Sequence, residues 1–168
     1  MTRSYDGSLD PSKEAEIYDL SLYVYNKIDP GVFRHVYIDV PNDRVDLSLP
    51  RGEYELFAIA NTGSDPGEMT LEQLKDYTCE IAGDDDPAVK GLAMSAHRTL
   101  EVGVDAEIPI LLERAVARVD LSITVDKNCP EELTLHSVAL RSVPAVLSPF
   151  GDNRPAPDKL LAIYAAGC

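Results

Sequence analysis

The side chains able to do chemistry in this sequence are few and dispersed. His35, His97 and His136 stand far apart. Two of them fall on predicted strands beside apolar neighbours, where an imidazole more often packs than catalyses. The chain has no GxSxG elbow, no HExxH pair, no GxGxxG and no phosphate-cradling glycine loop. Asp84-Asp85-Asp86 offers the hard oxygens that calcium prefers. It lacks the spaced ligands and bidentate glutamate of an EF-hand, so it reads as a solvated acidic loop. Nothing among the 29 Asp and Glu residues singles out a pair for glycoside hydrolysis. Cys79, Cys129 and Cys168 are too few for a disulfide framework and show no CxxC spacing, which argues against zinc. They read as two ordinary residues and an exposed terminal thiol. No catalytic, cofactor-binding or metal-binding residue is therefore assigned, no cofactor is expected, and the chain is read as a non-enzyme.

The totals point to classes of partner. A formal charge of −14 opposes a nucleic-acid groove, which needs clustered Lys and Arg to displace counterions. It equally opposes docking on anionic lipid. With 45% apolar and 26% charged residues, 168 residues suit one domain with a real core. No apolar run approaches the ~20 residues of a membrane-spanning helix. The opening MTRSYDGSLDPSKEAE also has no apolar stretch of signal-peptide length. A cytosolic protein, or one whose signal has been removed, both fit.

The elements form around LPRGEYELFAIANTG, Leu49 to Gly63. Pro50 and Gly52 are expected to reverse the chain through a left-handed turn. Leu56 through Ala60 carries no polar residue, which predicts a central strand covered on both faces. Asn61-Thr62-Gly63 ends it with residues that tolerate positive φ. Upstream, Ile17–Tyr25 and Phe33–Val40 alternate as strands around the Asp29-Pro30-Gly31 turn, and Val45–Leu49 alternates as a third. Downstream, Thr70 and Gln73 form a capping box for a helix over Leu71–Tyr77. Further extended runs are expected at Gly91–Ser95, Arg98–Val104, Ile108–Leu112, Ala115–Val125 and Leu133–Ser142, with a possible terminal strand at Leu160–Tyr164. The layout is a polar arm at 1–14, a β-sandwich at 15–149 and a proline-rich tail at 150–168. The fold class is all-β.

Taken in order, LPRGEYELFAIANTG, TLEQLKDYT, AVKGLAMSA and LLERAVARVDLSITV resemble the N-terminal domain of the Bacteroidetes fimbrillins. The resemblance covers roughly Ile17 to Val146. It implies a transthyretin-like sandwich of about seven strands, exported as a lipoprotein precursor and built into outer-membrane fimbriae that serve adhesion. In that family a trypsin-like protease cuts after an N-terminal arginine, and Arg3 sits where such a cut would fall. A strand from a neighbouring subunit then fills the opened groove, which is β-augmentation. The expected partners are thus other fimbrial subunits and a surface ligand. Against the family pattern, these 168 residues lead us to expect a second sandwich that is missing, truncated or never present, and they show no lipidated cysteine at the front. Leu160, Leu161, Ile163 and Tyr164 are the candidate donor strand, the alternative being a closing strand of the same sandwich. A second reading is a glycan-binding β-sandwich, which would need Tyr18, Tyr23, Tyr25 and Tyr37 to share an exposed face.

Overall fold

The computed structural model describes residues 15–28, 32–42, 44–80, 91–103, 107–115, 124, 137–144, 146–151 and 160–166. The strands are β1 (Asp19–Asn26), β2 (Val32–Asp39), β3 (Gly52–Ala60), β4 (Cys79–Glu80), β5 (Met94–Val102), β6 (Glu113–Arg114), β7 (Ser137–Pro144), β8 (Val146–Leu147) and β9 (Leu160–Ala166). One helix, α1 (Leu71–Lys75), follows β3. Among the described residues the architecture is all-β with a single short helix, as the sequence predicts.

The main sheet is antiparallel, in the order β2-β1-β3-β5-β6, so β3 is its middle strand. Its register sets Tyr23 opposite Phe57 and Val24 opposite Leu56. On the other side His97 lies opposite Phe57 and Arg98 opposite Leu56. Because side chains alternate across a strand, these pairs sort residues onto two faces. One face is aromatic: Tyr23, Tyr25, Phe57 and Ile59 cluster there with Leu74 of α1. The other gathers Val24, Tyr54, Leu56 and Leu100. Leu56 through Ala60 is at most 3% exposed at every position, so both faces are covered, as an unbroken apolar run requires.

The helix exists because its start is capped twice. Gln73 N–H donates to Thr70 Oγ at 3.2 Å, and Thr70 N–H donates to Gln73 Oε1 at 2.8 Å. Five residues cannot hold a helix in water by propensity alone. Leu74, fully buried, anchors it to the aromatic face, and Met69, Leu71 and Tyr77 pack around that anchor. Tyr77 lies two residues past the helix end, so the helical spacing predicted its packing but not its backbone. The helix thus acts as a plug on the aromatic face of the main sheet.

Three other expectations are corrected. Val45–Leu49 alternates in burial as predicted and sends Leu47 and Leu49 to the second core cluster, yet it joins no ladder. Alternation reports which side is wet, whereas a strand also needs a paired backbone. Gly52 opens β3 with φ 159, which is extended backbone, so there is no left-handed reversal at that glycine. The Tyr54 hydroxyl reaches back instead and donates to Pro50 O at 3.0 Å. Ile108–Leu112 is extended but unpaired, with Pro109 in its middle unable to donate. Asn61 and Gly63 do take positive φ, 64 and 79, where the sequence placed them. Most of Ala115–Val125, the Asp29–Gly31 turn and the 1–14 arm lie outside the described residues.

Candidate functional site

Among the described residues, the side chains suited to chemistry do not converge. His35 on β2 stacks on Tyr23 with ring centroids 4.5 Å apart, and His97 on β5 stacks on Phe57 at 4.2 Å. Both imidazoles lie on the aromatic face and serve its packing. His35 Nε2 is buried without a hydrogen bond, 3.5 Å from Asp65 Oδ1. Among the described residues one carboxylate stands beside one imidazole here, and that pair alone does not make an acyl- or glycosyl-transfer constellation. Among the described residues no three His, Cys, Asp or Glu side chains are grouped to hold a metal. His136, Cys129, Cys168, Asp84–Asp86 and Arg3 lie outside the described residues. Cys79 is free and half-buried, and burial pushes its thiol up from the usual value.

The tyrosines required for a sugar platform are turned inward. Tyr23 and Tyr25 are 0% and 1% exposed. Their hydroxyls donate to Gly67 O at 2.9 Å and Met69 O at 2.8 Å, so they hang the 61–69 loop on the sheet. Burial, reinforced by the Asp65 charge, pushes the Tyr23 phenol up to about 12. Tyr18 and Tyr37 are half-buried, so these four tyrosines do not share the exposed face that a glycan platform needs.

What remains is a set of strand edges and the apolar surface beside them. β2 is the outer strand of the main sheet, opposite β1, and ends at Val40 with φ 58. At the other side β6 pairs with only Met94 and Ser95 of β5. Beside it runs the unpaired 107–112 stretch, where Ile108, Ile110 and Leu111 are 40%, 36% and 80% exposed. A cleft of about 250 Å3 opens there, lined by Ala15, Ile17, Met94, Ile110, Leu112 and Arg114. The candidate donor residues Leu160, Leu161, Ile163 and Tyr164 form β9, antiparallel to β7 of the same chain. The register sets Leu140 opposite Ile163 and Ala139 opposite Tyr164, with an irregularity between Leu140 and Val143. Among the described strands, β7 and β9 pair with each other in a two-stranded sheet.

The sequence reading missed the polar knot at the end of β3. The Asp19 carboxylate, 4% exposed, accepts from Thr62 N, Thr62 Oγ and Gly63 N at 2.8–2.9 Å. Asn61, 8% exposed, accepts from Tyr18 N–H and donates to Glu16 O and Leu92 O. The one available signal was an aspartate where the apolar alternation of β1 starts. Position alone does not say what it binds.

No protein-family model matches this sequence, and no curated protein matches it. Solved structures do. A fimbrial assembly protein from Parabacteroides distasonis superposes with a TM-score of 0.56 at 12% identity, covering 92% of this chain and 71% of that one. A candidate adhesin from Bacteroides thetaiotaomicron gives 0.50 at 14% identity, over 90% of this chain and 55% of that one. The chain thus spans about half of the second protein. At these identities the likeness is one of fold, and it agrees with the fimbrillin-like fold expected from the sequence.

Proposed function

We propose that this chain is a cell-surface fimbrial subunit or accessory pilin domain, structural and adhesive, that joins its neighbours by strand exchange. The observation that carries the reading is β9, a strand close to the chain's end that is paired along one side only among the described residues. The β7–β9 ladder is antiparallel and seven residues long on the β9 side. A second copy can supply the identical strand in the identical register. Exchange then replaces each hydrogen bond with an equivalent one and changes only which chain provides it, the low-cost route to linked subunits. The fold shared with a fimbrial assembly protein supports the same reading. Cleavage after Arg3 by a trypsin-like protease is the proposed trigger, and a lipoprotein precursor and outer-membrane fimbriae are the proposed route and location. The proposed role is non-catalytic, a reading that the fimbrial assembly and adhesin structures of similar fold support.

The register supplies the test. With the native cysteines replaced by serine, Leu140→Cys with Ile163→Cys places two thiols opposite each other on β7 and β9. Oxidation before and after limited trypsin treatment is followed on non-reducing gels. Strand exchange gives a ladder of cross-linked multimers after processing. Monomers closed only on themselves under both conditions would remove strand exchange at β9 from this reading.

A further inference from the structure

Ahead of β1, Ala15–Tyr18 is tied to the rest of the fold through Asn61. The ladder of the main sheet begins at Asp19, so Ala15–Tyr18 lies outside it. Asn61 bridges the gap: its Oδ1 accepts from Tyr18 N–H at 2.8 Å, and its Nδ2 donates to Glu16 O at 3.0 Å and Leu92 O at 2.8 Å. Both donors and the acceptor of the carboxamide are therefore engaged, in a site 8% exposed. Backbone φ at Asn61 is 64, a conformation asparagine tolerates better than other side-chain-bearing residues. The opposite wall is closed by Gly91, where an added Cβ would lie 2.4 Å from Asn61 Nδ2 and 2.9 Å from Tyr18 Cδ2. Such a fit leaves the amide no room to turn away.

The fastened segment also has something to cover. Ala15 and Ile17 form one wall of the mostly apolar cleft whose other walls are Met94, Ile110, Leu112 and Arg114. Met94 is 5% exposed and Ile17 39% exposed, so the segment shields the floor while facing solvent itself. Behind it the structure is firmly held. Val40 N–H donates to Tyr18 O at 3.0 Å, and the Asp19 carboxylate is satisfied by the 62–63 backbone.

We propose that Asn61 is a clasp that holds Ala15–Tyr18 as a strap across this cleft. Released, the strap pivots at Tyr18 with the five-stranded sheet intact and uncovers Met94, Ile110 and Leu112. The device goes beyond strand exchange at β9, and neither of its readouts needs a neighbouring subunit.

The test uses Asn61→Gly, which keeps the positive φ and removes all three side-chain bonds, beside Asn61→Asp, which keeps the acceptor and loses both donors. The full chain is treated with a glutamate-specific protease, and the fragment beginning at Ile17 is followed by mass spectrometry. Cleavage after Glu16 quickens at least tenfold in Asn61→Gly and by less in Asn61→Asp, while cleavage after Glu53 on β3 and Glu101 on β5 stays at the wild-type rate. Binding of an apolar fluorescent dye rises several-fold in Asn61→Gly and returns to the wild-type level when Ile110→Ser is added. An unchanged rate at Glu16 overturns the clasp. Equal acceleration at all three sites overturns the independence of the strap, and unchanged dye binding overturns the uncovering of the cleft.

Discussion

Phe57 is where the enclosure of the central strand can be measured. It is 3% exposed, stacks on His97 at 4.2 Å and meets Tyr25 and Phe150 edge-on at 5.8 and 5.0 Å. Phe57→Ala removes the ring from the middle of that cluster, and the three neighbours come from different segments that cannot all collapse inward. Truncations of this kind cost about 3–5 kcal/mol, and the aromatic pairs add about 0.5–1.5 kcal/mol each beyond area. We expect about 4 kcal/mol, a large share of the ~5–15 kcal/mol that holds a typical domain. Phe57→Leu keeps most of the volume and loses the aromatic geometry, so about 1–2 kcal/mol is expected. Urea unfolding followed by far-UV circular dichroism, with the slope m unchanged, reads both values. The reasoning is refuted if Phe57→Ala loses less than about 1 kcal/mol, because such a loss fits a strand lying bare and not one covered on both faces.

Two further outcomes follow from the same face. Thr70→Ala removes the acceptor for Gln73 N–H and half of the capping box. It should cost about 1 kcal/mol and hasten amide exchange in α1 before exchange in β3, which native-state hydrogen exchange resolves. The Tyr23 phenol, pushed up to about 12 by burial and the Asp65 charge, ionises later in the native state than in the unfolded chain. The unfolded chain therefore sheds its proton first. Stability from this group is complete below pH ~10 and declines as pH rises from ~10 towards ~12. Tyrosinate absorbance should lag behind that of the urea-unfolded protein across this window, and Tyr23→Phe should remove part of the lag.

Much of the architecture follows from local sequence. The unbroken apolar run Leu56–Ala60 cannot face water on either side, so it had to lie mid-sheet, and it does. Thr70 and Gln73 start a helix through bonds that span three residues, and Asn61 and Gly63 take positive φ because a short polar side chain and a missing Cβ each tolerate it. These are short-range effects, complete within a few positions of the chain. Periodicity failed where a second partner was needed. Val45–Leu49 has the alternation of a strand but joins no ladder among the described residues, and Tyr23 and Tyr25, two of the four tyrosines a sugar platform would need, are sealed under the 61–69 loop.

The sequence by itself determined that the chain is all-β, acidic, built around one buried strand and poor in catalytic groups, because composition and spacing act locally. Only the tertiary structure decided what Asp19, Asn61 and Gly91 do. Their hydrogen bonds join residues 31–45 positions apart and the close contacts at Gly91 reach Asn61 and Tyr18, 30 and 73 positions away, and no local pattern specifies which distant backbone group a buried carboxamide will meet.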